Sequence, residues 1–110
     1  MNYRKVAIIV AMDKEFQQLE SILSNKQTEE IGHGRLVTGQ LGDKEIALQK
    51  CGIGKVNSAI GATLLIQSFH PDLIISSGCA GGADQSLNVG DVVVARQCAY
   101  HDAYCGDNCE

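Results

Sequence analysis

Several classes of protein are excluded by what this sequence lacks. It has one proline, no tryptophan and only 5% aromatic residues in 110 positions. No apolar run approaches the ~20 residues of a membrane span. Runs such as Val6–Ala11 and Leu73–Ile75 are strand-sized. A secretory leader needs a longer apolar stretch and a small-residue cleavage site, and neither follows Met1. The nine Lys and Arg are scattered, with no basic run beyond Arg4-Lys5 and a net charge of -4. That balance opposes a nucleic-acid surface, which is usually strongly basic. At 45% hydrophobic and 20% charged, the chain is too apolar for a disordered one. No repeat or low-complexity linker interrupts it, so one domain is expected, soluble and cytoplasmic.

Five cysteines are present: Cys51, Cys79, Cys98, Cys105 and Cys109. The number is odd and no leader precedes them, so a disulfide framework is not expected. Cys105 and Cys109 have a spacing open to a metal-ligand pair, with His101 nearby, but no second pair completes a set. The alternative is free thiols. Cys51 and Cys79 follow apolar strands, which suits small buried hydrophobes.

The run Arg4–Ala11 reads as a strand buried on both faces, as in parallel sheets. Asp13 is placed to cap a helix over about Lys14–Leu23, with Phe16, Leu19 and Leu23 on its apolar face and Ser24-Asn25 ending it. Gln27–Ile31, Arg35–Leu41 and Glu45–Lys50 read as an antiparallel meander, with turns at Gly32-His33-Gly34 and Gly42-Asp43. A second helix is expected over Val56–Phe69, with Ala59, Ile60, Thr63, Leu64 and Phe69 on one face. Gly61 and Ala62 would permit close approach to a sheet or partner helix. The helix ends at His70-Pro71, where the single proline cannot continue it. Asp72–Ser77 and Val92–Ala95 read as further strands, with a turn at Asn88–Asp91. This order predicts an α/β fold with a largely parallel core, in a mixed central sheet flanked by helices.

Ligands of open α/β sheets bind beyond the carboxyl ends of the strands. Three segments leave such ends: Ala11–Glu15, Cys51–Lys55 and Gly78–Gly82. If the sheet is as read, they surround one crevice. The Gly78-Cys79-Ala80-Gly81-Gly82 cluster lets backbone N–H groups approach a ligand oxygen, or it is a tight turn without a ligand. It has neither the G-x-G-x-x-G nor the G-x-x-x-x-G-K-[ST] order, so dinucleotide and triphosphate binding are unsupported. Gly52-Ile53-Gly54-Lys55 is either a ligand loop or a helix-entry turn, and Lys55 either a phosphate ligand or a solvated side chain. Glu15 lies in the first turn of a helix, where the dipole favours a carboxylate. It is a candidate general base, or an ordinary first-turn acid. His101-Asp102, between Tyr100 and Tyr104, could do acid/base work, but no G-x-S-x-G nucleophile motif accompanies it.

Taken in order, VAIIVAMDKE (6–15), TGQL (38–41), CGIGKV (51–56), GATLL (61–65), PDLIISSGCAGG (71–82), VGDVVV (89–94) and YHDA (100–103) resemble the 5′-methylthioadenosine/S-adenosylhomocysteine nucleosidases of the purine nucleoside phosphorylase superfamily. The resemblance runs along nearly the whole chain and implies the N-terminal half of a single phosphorylase-like domain. It implies hydrolysis of the N-glycosidic bond of methylthioadenosine and adenosylhomocysteine, releasing adenine and a thioribose. It further implies a small-molecule nucleoside substrate, no metal, no cofactor, no nucleic acid or membrane partner, and a homodimer.

By the same resemblance, Glu15 activates the attacking water and Met12 lines the ribose side. Gly81 binds substrate, with Cys79 and Ala80 beside it, and Ile53 lies near the dimer interface and thio-substituent. Carboxylate charge would stabilise the oxocarbenium-like sugar as adenine leaves. Cys79 stands where the family usually has Ser, Val10 where it has Gly, and Asp13 where it has Glu. The family's purine-protonating aspartate, ribose-gripping Met-Glu pair and adenine-holding segment have no match here. The 110 residues alone are therefore expected to show little nucleosidase activity. Neighbouring readings are a purine nucleoside phosphorylase, a futalosine hydrolase or a non-catalytic nucleoside-binding fragment. A phosphorylase needs cationic clamps for phosphate, and the Met12–Glu15 segment puts a carboxylate there instead.

Overall fold

The computed structural model describes residues 2–32, 34–103 and 106, which fall into two units, Met1–Cys79 and Ala80–Glu110. In the first unit the order is β1 (Lys5–Val10), α1 (Asp13–Glu20), β2 (Ser24–Ile31), β3 (Gly34–Leu41), β4 (Lys44–Lys50), α2 (Lys55–Phe69) and β5 (Leu73–Ser76). The five strands form one sheet in the order β2-β3-β4-β1-β5. β1 runs parallel to both β4 and β5, while β2-β3-β4 is an antiparallel meander. The sheet is therefore mixed, as the sequence predicts.

Side-chain alternation along the strands sorts the core onto two faces. One face carries Val6, Val10, Val37, Ile46 and Leu48 and is covered by Phe16 and Leu19 of α1, with Leu23 beyond it. The other carries Ala7, Leu36 and Ala47 and is covered by Leu65 and Phe69 of α2. Ala7 and Ala47 are register partners on β1 and β4. Small residues there let α2 lie close to the sheet.

Gly61 completes that approach. A Cβ added to it would lie 2.6 Å from the Cβ of Cys51 and 3.1 Å from Cδ1 of Ile9. Alanine in place of a mid-helix glycine ordinarily stabilises by about 0.5–1 kcal/mol. Here the clash is with an atom fixed to the backbone, and overpacking costs about 1–3 kcal/mol. Gly61→Ala is therefore expected to lower the urea midpoint. An unchanged or raised midpoint would contradict the close packing of α2.

Some boundaries differ from the sequence reading. α1 ends at Glu20 rather than near Leu23. The amides of Ile22 and Leu23 bond to the carbonyls of Leu19 and Glu20 at 3.3 and 3.2 Å, which tightens the chain and delivers Leu23 to the core. β2 then starts at Ser24, whose hydroxyl donates to the Gln40 carbonyl. Asp13 is not the N-cap. Met12 holds that position, its amide taken by the Glu15 carboxylate, and Asp13 opens the helix paired to Lys50 at 2.7 Å. In α2 the sheet-facing residues are Gly61 and Leu65, with Phe69 half-buried, whereas Ala59, Ile60 and Thr63 are exposed. Its end is as expected, His70 adopting φ 50° before Pro71.

Asp72 ties the start of β5 to the start of β1. Its Oδ2 accepts the amides of Arg4 and Lys5 at 3.0 and 2.9 Å, and its own amide donates to the Lys5 carbonyl at 2.8 Å. The bonds from the Lys5 and Arg4 amides, aided by the two cationic side chains, hold the Asp72 carboxyl below the usual carboxylate range. A depressed folded-state value means stability that is present above the ordinary Asp value and lost as pH falls through the folded one. Wild type should exceed Asp72→Asn in denaturant midpoint at about pH 7, and the gap should narrow as pH falls below the ordinary Asp value. A gap independent of pH would refute the assignment.

In the second unit, Asp84 Oδ1 accepts both the amide and the hydroxyl of Ser86, which holds the Asp84 carboxyl low. The turn expected at Asn88–Asp91 is present: the Asp91 amide donates to the Asn88 carbonyl at 3.1 Å, with Gly90 at φ 96°. Val92–Ala95 is not a strand. Val92, Val93 and Val94 are 91%, 66% and 87% exposed. A β-branched sequence favours extended backbone, but a strand exists only where its N–H and C=O groups find a ladder. This segment pairs with none among the described residues. No described helix is long and apolar enough to cross a membrane.

Candidate active site

The carboxyl ends of β4, β1 and β5 lie side by side because the three strands are parallel neighbours. The ladder continues past them, with the Cys51 amide on the Val10 carbonyl at 2.9 Å and the Ser77 amide on the Ile9 carbonyl at 3.0 Å. Thus Ala11–Glu15, Cys51–Lys55 and Ser77–Cys79 leave one end of the sheet, as the sequence suggests for the first unit.

Glu15 joins two of these segments. Its Oε2 accepts the amides of Ala11 and Met12 at 3.2 and 3.1 Å. Its Oε1 accepts the amide of Cys79 at 3.1 Å. A carboxylate offers about four acceptor positions. Three backbone amides take three of them, which leaves one on Oε1 among the described residues. The side chain is half-buried and fixed from two strands. An ordinary first-turn acid needs only its own helix, whereas this one is also gripped by a residue 64 positions away.

The third donor was not visible in the sequence. Its signal is Gly78: a Cβ there would lie 3.0 Å from Oε1 of Glu15. The glycine admits the carboxylate to the backbone after β5.

The remaining expected site residues are placed as follows. Met12 is 42% exposed at the head of α1. Ile53 is exposed in the loop before α2, where Gly52 and Gly54 adopt φ 91° and 98°. Those angles account for both glycines as a helix-entry turn, and Lys55 opens the helix. Cys79 is exposed, and its amide rather than its thiol makes the contact with Glu15. Neither Cys51 nor Cys79 is a fully buried thiol, contrary to expectation. Ala80 and Gly81 belong to the second unit, exposed and without regular structure, and nothing lies within 4 Å of a Cβ placed on Gly81.

Cys51 donates from Sγ to the carbonyl of Val10 at 3.3 Å or of Gly52 at 3.2 Å. Burial pushes its thiol up, and the negative charge of Glu15 adds to this. It is therefore a neutral thiol near neutral pH, unsuited to nucleophilic attack. His101 and Asp102 are exposed in the second unit. Tyr104, Cys105 and Cys109 lie outside the described residues. Among the described residues no group of three His, Cys, Asp or Glu could hold a metal ion.

The model of the phosphorylase superfamily matches residues 5–108. The chain belongs to the phosphorylase superfamily. Solved structures of this superfamily share the fold of the chain. It is 36% identical to the 5′-methylthioadenosine/S-adenosylhomocysteine nucleosidase of Neisseria meningitidis, solved with methylthio-immucillin-A, at TM-score 0.77 over 80% of this chain and 38% of that one. It is also 36% identical to the corresponding Colwellia psychrerythraea nucleosidase, solved with adenine, at TM-score 0.78 over 82% of this chain and 37% of that one. A futalosine hydrolase from Helicobacter pylori is 29% identical, at TM-score 0.71 over 80% of this chain and 40% of that one. The chain therefore spans about two fifths of the length of the neighbours it matches. The superfamily sheet they share is the one whose carboxyl end carries Glu15.

Proposed function

We propose that this superfamily member supplies the water-activating part of a nucleosidase site, with Glu15 as the base. The whole protein would hydrolyse the N-glycosidic bond of 5′-methylthioadenosine and S-adenosylhomocysteine. The observation that carries the reading is a carboxylate clamped by three amides, with one acceptor position left free among the described residues. A water there would be oriented with one lone pair turned outward. As the purine departs, the sugar carbon becomes cationic, and the oriented water adds while its proton passes to Glu15. The fixed carboxylate also stabilises the cation electrostatically.

Met12 would line the ribose side, Cys79, Ala80 and Gly81 the substrate, and Ile53 the thio-substituent and a homodimer contact. Ile53 and Val56 are each 73% exposed, which suits cover by a partner. A cytoplasmic location fits a nucleoside substrate of this kind.

Futalosine is the second candidate substrate, since the neighbour that hydrolyses it has a comparable fold match. Release of the free purine base from methylthioadenosine, adenosylhomocysteine and futalosine, followed by chromatography with and without phosphate, separates the readings. Phosphate-independent release from the thio-nucleosides is expected. Phosphate-dependent release would indicate a phosphorylase. Calorimetric binding of methylthioadenosine without turnover would indicate a binding fragment.

A further inference from the structure

Two like charges stand opposite one another on the sheet. Arg35 of β3 and Lys50 of β4 are register partners. Alternation puts both on the α1 face, in line with Val37, Ile46 and Leu48. Like charges directly opposite in a ladder repel and destabilise it. Here the two cations lead to opposite ends of α1. Lys50 Nζ lies 2.7 Å from Oδ1 of Asp13, the first residue of the helix. Arg35 Nη2 lies 2.9 Å from Oε1 of Glu20, the last. The Arg35 guanidinium also sits 5.2 Å from the ring centroid of Phe16, the buried anchor of α1.

This helix needs outside guidance. It has 8 residues, too few to be stable alone. Its last turn holds no basic residue, so Glu20 meets the negative end of the dipole unless a cation comes from elsewhere. Phe16 and Leu19 hold α1 to the sheet, but apolar packing has no direction and permits sliding. Glu15 tolerates little sliding. Its bond to the Cys79 amide is 3.1 Å long, and at about 3.6 Å such a contact is no longer a hydrogen bond. Asp13 and Glu15 share the first turn, so whatever fixes one fixes the other. Exposed ion pairs add little to stability. These two are therefore suited to setting position rather than to holding the fold.

We propose that Lys50 and Arg35 are positioning residues for Glu15. From adjacent strands they grip α1 at both ends and set where its first turn meets the Cys79 amide. Lys50 acts through Asp13 at the Glu15 end, and Arg35 through Glu20 and Phe16 at the far end. The catalytic part of this rests on Glu15 being the base, whereas the geometric part does not.

The test is a cycle of Lys50→Met, Asp13→Asn and the double variant in the whole protein, with Lys50→Arg and Arg35→Met beside it. Circular dichroism gives the folded fraction. Each loss of charge is expected to lower kcat by about tenfold, with KM within about twofold of wild type. The double variant should be no worse than either single, as for two members of one interaction. Lys50→Arg should keep most of the activity. The Cys79 amide proton, followed by NMR, should move in Lys50→Met and Arg35→Met and stay in place in Lys50→Arg. An unchanged kcat in Lys50→Met, with Glu15→Gln still impaired, would overturn the positioning role and leave Glu15 as the base. An unmoved Cys79 amide would overturn it whatever the turnover, including where Glu15→Gln shows that Glu15 is not the base. Should Lys50→Met fail to fold, Asp13→Asn breaks the same pair from its more exposed side and decides by the same two readouts.

Discussion

Glu15→Gln is expected to reduce purine release by the whole protein by about 10²–10⁴-fold and to destabilise the fold as well. The first effect follows from losing the proton acceptor. The second follows from the geometry of the clamp. An amide has one oxygen, but the amides of Ala11 and Met12 point at one carboxylate oxygen and that of Cys79 at the other. Whichever way the Gln amide turns, its NH2 group faces at least one backbone N–H. An orphaned donor of this kind costs about 1–3 kcal/mol. Turnover should therefore be normalised to the folded fraction, measured by circular dichroism. Near-wild-type turnover per folded molecule would remove Glu15 from the chemistry while leaving the clamp intact. Gly78→Ala provides a milder companion. Its Cβ would press Oε1 from 3.0 Å and should lower turnover with the carboxylate still present.

Leu48→Ala is expected to be the most damaging single truncation of the core. Leu48 is fully buried at the centre of β4, between β3 and β1, and packs with Val6, Val10, Phe16, Val37 and Ile46. Truncating a buried leucine costs about 2–5 kcal/mol, the upper end applying where the surroundings cannot collapse. A central strand held by ladders on both sides cannot collapse easily. Small domains have only about 5–15 kcal/mol in total, so a large share of stability is at stake. Urea unfolding followed by far-ultraviolet dichroism measures the loss. A change below about 1 kcal/mol would mean that the α1 face is loosely packed. Leu65→Ala, on the opposite face, probes α2 independently, because the two clusters share no residue.

Much of the fold was legible because local signals agreed with one another. The apolar run at 4–11, the Gly-Asp turn at 42–43 and the proline at 71 each have one simple local solution. The structure adopts all three. The two helices were found, but the inward face of α2 was not. Its sequence is apolar nearly all round and carries no charge after Lys55, so periodicity could not say which side meets the sheet. The side that meets the sheet is the one carrying Gly61, where a Cβ would lie 2.6 Å from the Cβ of Cys51.

The segment Val92–Ala95 failed in the opposite sense. Its composition favours a strand, but strand formation is a property of a pair, and composition describes only one partner. The candidate site divides in the same way. The first turn of α1 and the glycines after β5 were both visible as unusual chemistry. That a carboxylate from one is held by an amide from the other was not, because the contact spans 64 residues.

By itself, then, the sequence determined the element types of the first unit, the mixed α/β class and the candidate segments that leave one end of the sheet. Each of these depends on neighbours a few residues apart, through turn geometry, capping and hydrophobic period. The tertiary structure alone decided which helix face is buried, which residue caps α1, and how many donors hold Glu15. Those depend on strand order, since only the parallel placement of β1 beside β5 brings the Cys79 amide to the carboxylate.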